Sequence, residues 1–465
     1  MMRASARTVV PNPGEPMQKR TAALSLTLTV SALLPAALPA QATSGSSGSY
    51  ATKTPYAPQQ DPRSYQQAPK GFVPVFTENV SRHGSRAASD SEDGDLILAL
   101  WEKARSEGQL TRDGERFGDE TKSLLAAMDA IGYGQLSGRG VREIQDTAVR
   151  LEKRLPGLFR QIAKDSEQIN VVNSGKDRAV DSGDLFAEAL AENDPALAPL
   201  ITPARTDADL LYFHKSADSA EYRDYVDNDE RLATTLDTIT DQPASHTAAR
   251  NVLKKIFKPA FVERISAGEF DSVGTEVEAA QAVYALYSIA PAMADEGDWN
   301  MKRYLAPRDA RWFAYLSDAE DFYEKGPGFA DSDITYRMAN VLLDDFFAKI
   351  DAKRNGTGNA GAELRFTHAE EIIPLAALMG LPGSTKPVSQ ARPYTYADNP
   401  WRGESVASMA TNIQWDLFRK GNKYLVRMLY NEKQTAFKKG CEPVAKGSYY
   451  YEVDELKQCL GRAAS

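Results

Sequence analysis

The chain has 465 residues, a formal net charge of -9, 26% charged residues and 42% hydrophobic ones. That is an ordinary globular composition, long enough for one large α/β unit with an insertion or for two or three domains. The acidic balance excludes a nucleic-acid coat, so an anionic ligand must be held by a local basic pocket rather than by the field of the whole molecule.

The first residues read as a targeting segment. Lys19-Arg20 precede an apolar run from Ala22 to Leu38, and Ala40-Gln41-Ala42 supplies an A-x-A cleavage pattern. Residues 1–42 are expected to be a secretory signal peptide, with Met17 as an alternative start. Pro35 and Pro39 interrupt the run, which argues against a membrane anchor, and no later stretch is apolar enough to span a bilayer. The mature chain should begin near Thr43, be secreted or periplasmic, and have neither membrane nor nucleic-acid partners. Residues 43–69 are rich in Ser, Gln and Pro with almost no aliphatic side chains, so a flexible linker or loosely docked arm is expected.

From Gly71 the pattern becomes that of a folded core. "GFVPVFTENV" reads as a strand and "DLILALWEKARSEG" as an amphipathic helix, with Asp93 or Asp95 as cap. Val141, Ile144, Ala148, Leu151 and Leu155 recur at helical spacing until Pro156 breaks or kinks the helix. A short strand, Ile169 to Val172, then enters the polar turn "NSGKDR", and "DSGDLFAEALAE" opens another helix. Helical patterns fill residues 201–355, which predicts an all-helical cap inserted between core segments 70–200 and 356–465. "NGTGNAG" is a loop that ends it. The α/β pattern resumes with the strand in "ELRFTHAE", the helix "EIIPLAALMG" and the alternating "NKYLVRMLYNEKQTAF". The predicted fold class is α/β, a central mostly parallel sheet flanked by helices with the helical cap inserted. Cys441 and Cys459 are the only cysteines. In an exported chain they are expected to form one disulfide, worth on the order of 3 kcal/mol for so short a loop. A metal or redox pair is the weaker reading, because there is no C-x-x-C and no histidine near either one.

Three predicted strand ends carry the chemistry: Arg82-His83-Gly84-Ser85-Arg86, the turn ending in Arg178, and Thr367-His368-Ala369-Glu370. Ligands of open α/β sheets bind beyond the carboxyl ends of the strands, so these segments can meet in one pocket. Guanidinium forks match phosphate oxygens. A neutral imidazole can attack phosphorus, and a carboxylic acid can protonate the departing alkoxide. No Walker loop, metal cluster or G-x-S-x-G is present, so no metal and no cofactor are predicted, and the arginines must supply the electrostatics that a metal supplies elsewhere. Each motif alone has a plain structural reading as a surface turn, an ion-pair arginine or the acidic first turn of a helix. Their order and their place at strand ends join them.

R-H-G-x-R after the first strand, an arginine after a middle strand and a late His-Ala-Glu resemble the histidine phosphatase superfamily, in the branch of histidine acid phosphatases and phytases. His-Ala-Glu, "LVRMLYNEK" before Cys441 and "QLSGRGVREIQDTAVRLEKRLPGLF" are similar to multiple inositol polyphosphate phosphatases. The resemblance implies that His83 becomes a phosphohistidine. It further implies that Arg82, Arg86, Arg178 and His368 hold the phosphoryl oxygens, and that Glu370 donates a proton to the leaving group and then activates water. The partner implied is a small phosphorylated molecule, an inositol polyphosphate of the phytate kind. Lys176 is a further candidate for a second substrate phosphate, against the reading of a solvated lysine. Gly84 is expected to let the backbone pass close to the anion.

The sequence departs from the family pattern at Ala87-Ala88, where a proline usually stiffens the loop. The acids from Asp90 to Asp95 are read as capping the next helix and pointing to solvent. Three other readings stand beside an inositol polyphosphate phosphatase: a broad-specificity histidine acid phosphatase, a phosphoryl-moving mutase of the same superfamily, and a phosphate-binding protein without turnover.

Overall fold

The structure, a computed structural model, describes residues 48–463. The predicted signal peptide and residues 43–47 lie outside them. Eight strands form one sheet: β1 (Val73–Arg82), β2 (Gln168–Asn173), β3 (Arg205–Thr206), β4 (Ala360–Thr367), β5 (Asn412–Lys420), β6 (Lys423–Tyr430), β7 (Lys433–Thr435) and β8 (Tyr450–Glu452). Their order is β3-β2-β4-β1-β5-β6-β7, with β8 paired to β6.

The α/β class is as read, and the sheet is mixed rather than mostly parallel. β3, β2, β4 and β1 are parallel neighbours. From β1 outward, β5, β6, β7 and β8 pair antiparallel. The antiparallel half is built from hairpins, which alternation alone does not distinguish from crossover strands. Between β6 and β7, Tyr430 pairs with Lys433, and the two turn residues Asn431 and Glu432 both have positive φ, 52° and 56°, as a tight hairpin turn requires. β5 itself went unread in the sequence, although Ile413, Trp415 and Leu417 alternate along it and are buried.

Register matters most at one edge. Arg82 at the end of β1 lies opposite Thr367 at the end of β4, and Asn173 at the end of β2 lies opposite Phe366. The three strands therefore stop side by side, and the segments that follow them leave from a common edge.

Helices cover both faces. α1 (Glu92–Ser106), α2 (Arg112–Ile131), α3 (Gly138–Arg154), α4 (Pro156–Asp165) and α5 (Asp177–Asn193) precede β3. The side chains of Thr111 and Ser137 cap α2 and α3, and Pro156 starts α4 where its missing N–H costs nothing. Ile144, Ala148 and Leu151 of α3, Leu158, Phe159 and Ile162 of α4, and Phe186 and Leu190 of α5 pack against Ile169, Val171, Ala362, Leu364 and Phe366 of β2 and β4. On the other face Phe76, Val80 and Val172 join a larger apolar cluster.

That cluster extends into α6 (Ala208–Leu211), α7 (Ala220–Asn228), α8 (Glu230–Thr240), α9 (Pro243–Ile256), α10 (Pro259–Ser266), α11 (Glu276–Ile289), α12 (Pro307–Glu324), α13 (Asn340–Asn355), α14 (Ala369–Leu378) and the chain beyond. Between β3 and β4 there is no other strand among the described residues. The helical layer also takes in α1, packed on α11, and α2, packed on α9, so it draws on chain well before residue 201. Two short helices, α15 (Gly403–Val406) and α16 (Val453–Cys459), complete the set. Cys441 and Cys459 are disulfide-bonded, tying α16 to the loop after β7.

The segment before β1 is not a loose linker. Tyr50, Tyr56 and Tyr65 are buried. Tyr56 donates from its amide to Glu143 Oε1 at 2.9 Å and from its hydroxyl to Glu432 Oε2 at 2.8 Å. Met409 N donates to the Thr54 carbonyl at 2.9 Å, and Gln59 N to the Asn431 carbonyl at 3.0 Å. A count of aliphatic residues misses this strap because tyrosines supply both its apolar area and its polar anchors.

Candidate active site

His83 follows the last residue of β1 and is held from both sides. Its amide donates to the Thr367 carbonyl at 3.0 Å, and its carbonyl accepts from Ala410 N at 2.9 Å. Nδ1 lies 2.9 Å from the carbonyl of Gly84. A carbonyl can only accept, so Nδ1 carries the proton and the lone pair is on Nε2. Burial, followed by the charges of Arg82 and Arg86, pushes the ring well below the usual histidine range. A neutral imidazole with a free Nε2 is the form a nucleophile needs.

The loop after His83 is braced by the segment before α3. Ser137 N donates to the Ser85 carbonyl at 3.0 Å, Ala87 N to the Gln135 carbonyl at 3.0 Å, and Gly134 N to the Ala88 carbonyl at 2.6 Å. Glu143 reaches from α3 to the amide and hydroxyl of Ser85, at 2.8 and 2.9 Å. These bonds supply the stiffness that a proline at the Ala87-Ala88 step would otherwise give. A Cβ at Gly84 would overlap the Gly140 carbonyl oxygen and sit 2.8 Å from its carbon, so a glycine there allows the loop to approach the start of α3 closely.

Three arginines surround His83. Arg82 Nη1 donates to the carbonyls of Thr52, at 2.6 Å, and Ala407. Arg86 Nη1 donates to the Ala87 carbonyl at 2.6 Å. Arg178 is the second residue of α5, just past β2. In all three the Nε–H is buried with no hydrogen-bond partner. Burial lowers Arg82 to about 10 and, with repulsion from Arg178 and Arg82, lowers Arg86 to about 9; both stay protonated at neutral pH. Three orphaned cationic donors at one sheet edge are of the kind that can take up an anion.

His368 and Glu370 enter from the end of β4. The His368 ring is 5.5 Å from that of His83, edge on. Its Nε2 lies 2.8 Å from Ser174 Oγ, which already accepts from Lys176 N at 3.3 Å. The Ser174 hydroxyl is thus free to donate to Nε2, which leaves the ring proton on Nδ1, another buried donor without a partner. Burial and Arg178 lower this histidine to about 3, so it too is neutral.

The two adjacent glutamates differ. Glu371 is engaged behind the site, with Oε1 2.6 Å from His214 Nδ1 and Oε2 accepting from Thr367 Oγ1 at 2.9 Å. Glu370 is in the first turn of α14, where the helix dipole favours a carboxylate. Burial would raise it, but the Lys325 ammonium, the neighbouring His368 and His214 and a backbone hydrogen bond together outweigh burial and hold it well below the ordinary carboxylate range. Lys325 in turn lies 2.8 Å from Asp321.

The six principal candidates thus converge. Lys176 is exposed at the rim, its Nζ 5.1 Å above the Tyr212 ring, which meets His368 edge on. The acidic run fills the first turn of α1 and does not cap it as expected. The helix starts at Glu92 after Ser91, which makes no side-chain capping bond, so Asp93 and Asp95 lie inside the helix, while Asp90 Oδ1 accepts from Glu92 N and Ser91 Oγ donates to Asp95. It also faces the site, Asp90 acting on Arg86 and Asp93 on Lys53. Sequence reasoning missed Lys53, Glu143, Tyr212 and Lys325. Only the fold brings them here, and none belongs to a recognisable motif.

Residues 76–431 match the histidine phosphatase superfamily (branch 2). The chain belongs to this superfamily. Multiple inositol polyphosphate phosphatase 1 of Gallus gallus is 24% identical over 450 residues, spanning 91% of this chain and 93% of that protein. The multiple inositol polyphosphate phosphatase of Bifidobacterium longum, solved in complex with inositol hexasulfate, superposes with a TM-score of 0.85 at 34% identity, covering 89% of this chain and 97% of that one. The phytase from D. castellii shares the fold, with a TM-score of 0.60 at 16% identity over 89% of this chain and 85% of that one. The family expected from R-H-G-x-R and His-Ala-Glu is the one found. No helix among the described residues is long and apolar enough to cross a membrane.

Proposed function

We propose that this protein is an exported phosphomonoesterase that hydrolyses inositol polyphosphates through a phosphohistidine on His83. The observation that carries the reading is the set of four unpartnered buried donors, Nε of Arg82, Arg86 and Arg178 and Nδ1 of His368, around a neutral His83 with Nε2 free. The substrate class follows from the relatives, which are multiple inositol polyphosphate phosphatases.

In the first step His83 Nε2 attacks phosphorus, the N–P bond forms and the P–O bond to the inositol breaks. The four donors hold the non-bridging oxygens as charge builds on them. Glu370 gives its proton to the leaving oxygen. In the second step the Glu370 carboxylate takes a proton from water, the hydroxide attacks phosphorus and the N–P bond breaks, releasing inorganic phosphate and neutral His83. Lys325 keeps Glu370 ionised in the empty site. A bound polyanion offsets that charge and draws a proton onto the carboxyl, as acid solution does. Export is supported by the Lys19-Arg20, apolar run and A-x-A order of residues 19–42 and by the Cys441–Cys459 disulfide, which suits an oxidising compartment.

The test is phosphate release from inositol hexakisphosphate by the wild-type chain and by His83→Ala, with alkaline-quenched trapping of labelled phosphoenzyme, because the N–P bond of a phosphohistidine is labile to acid. The variant should lose at least about a thousandfold in kcat and give no trapped label. Near-wild-type turnover by His83→Ala would overturn the mechanism.

A further inference from the structure

The strap brings one more cation to the pocket. Lys53 ends a short turn, Ala51–Lys53, and both its neighbours are tied to the site. The Thr52 carbonyl accepts from Arg82 Nη1 at 2.6 Å, and the Thr52 hydroxyl lies 3.3 Å from Asp321 Oδ2. The Thr54 carbonyl accepts from Met409 N, two residues beyond Ala407, whose carbonyl is the other anchor of Arg82. The Lys53 side chain is partly buried and has no hydrogen-bond or ion-pair partner among the described residues.

The charged groups facing it come from four directions. They are Arg82 and Arg86 after β1, Asp321 and Glu320 on α12, Glu370 on α14 and Asp93 on α1. An ammonium packed beside two guanidiniums is unfavourable in an empty pocket. Burial, Arg86 and Arg82 together push Lys53 down to about 7 against the pull of Asp321 and Glu370. A second anion in the pocket would reverse this. The scissile phosphoryl group does not need Lys53, because four donors already serve its three non-bridging oxygens.

We propose that Lys53 binds a second, non-scissile phosphate, so that the site reads a polyphosphorylated substrate as such and not as a lone phosphomonoester. This inference rests on the phosphatase reading above. It also links binding to protonation: substrate holds Lys53 charged, so affinity for the polyphosphate falls as pH rises through 7.

The experiment compares the full-length wild type, Lys53→Met and Lys53→Arg on inositol hexakisphosphate and on an aryl monophosphate between pH 5 and pH 8. Lys53→Met should raise KM for the polyphosphate roughly tenfold at pH 6, the size of one lost charged hydrogen bond. Its kcat/KM on the aryl monophosphate should stay within about twofold of wild type, since no ligand of the scissile group is removed. The wild-type rise in KM above pH 7 should be absent in Lys53→Met, and Lys53→Arg should keep a low KM at pH 8. An unchanged polyphosphate KM in Lys53→Met, or equal losses on both substrates, would overturn the subsite. A wild-type protein that releases phosphate from neither substrate would instead overturn the phosphatase reading on which the subsite rests.

Discussion

Glu143 grips Ser85 twice, with Oε2 accepting from its amide at 2.8 Å and Oε1 from its hydroxyl at 2.9 Å. The same carboxylate accepts from Tyr56 N at 2.9 Å, so one side chain of α3 ties the strap to the arginine loop. Glu143→Ala would leave these buried donors without an acceptor, a loss of about 1–3 kcal/mol in stability. Because the loop carries His83 and Arg86, kcat should fall on every phosphomonoester while the polyphosphate-to-monophosphate ratio is kept. Thermal unfolding and steady-state kinetics on two substrates check this.

Glu370→Gln removes the proton donor and keeps the shape. An activated aryl phosphate needs little protonation of its leaving group, whereas an inositol hydroxyl needs it fully. The variant should lose about 10²–10⁴-fold on inositol phosphates and clearly less on aryl phosphates. Equal losses would remove Glu370 from the acid role.

Lys325 sets the pH at which that acid is available. It favours the carboxylate form of Glu370, so Lys325→Met should raise the Glu370 pKa and keep the carboxyl protonated to higher pH. The descending limb of kcat/KM for inositol phosphates should move toward neutral pH, and the limb for aryl phosphates should move less. Stability carries the matching sign. A carboxyl depressed in the folded state stabilises it above the ordinary carboxylate pKa, and that contribution is lost as pH falls through the folded value. In Lys325→Met this contribution should shrink, and the acid-induced loss of stability with it. Rate profiles and unfolding midpoints across pH read both effects.

Gly84→Ala places a methyl group against the Gly140 carbonyl. Either the loop or the first turn of α3 must move. A destabilisation of about 1–3 kcal/mol is expected, as for other overpacked sites, together with a loss of kcat that a mere surface turn would not show. Unfolding curves and kinetics of the purified variant decide it.

The site was legible because its chemistry lies in three short motifs, each following a strand whose apolar run is plain in the sequence. What joins them is register, with Arg82 opposite Thr367 and Asn173 opposite Phe366, and parallel pairing leaves no local sequence trace. The strap was misread because Tyr50, Tyr56 and Tyr65 anchor it in a polar, proline-containing context that resembles disorder by composition. Lys53 and Lys325 stand out only once burial and neighbours are known. In the sequence they are two lysines among 55 basic residues. The acidic run was expected only to cap α1; its Asp93 and Asp95 instead sit in the first turn of that helix, and the run lies within electrostatic reach of Arg86 and Lys53.

The central position of β1 has a consequence for synthesis. Its first partner, β4, is far along the chain, with Asn79 and Arg365 bonded across 286 positions. Its second, β5, is farther still, and Arg82 donates to Ala407 across 325. A ribosome working from the N-terminus therefore releases the nucleophile's strand long before either neighbour exists. An apolar strand with both edges open invites wrong pairing. Chains ending anywhere before β4 should be insoluble and inert, and catalytic competence should arise in a single late step rather than by degrees.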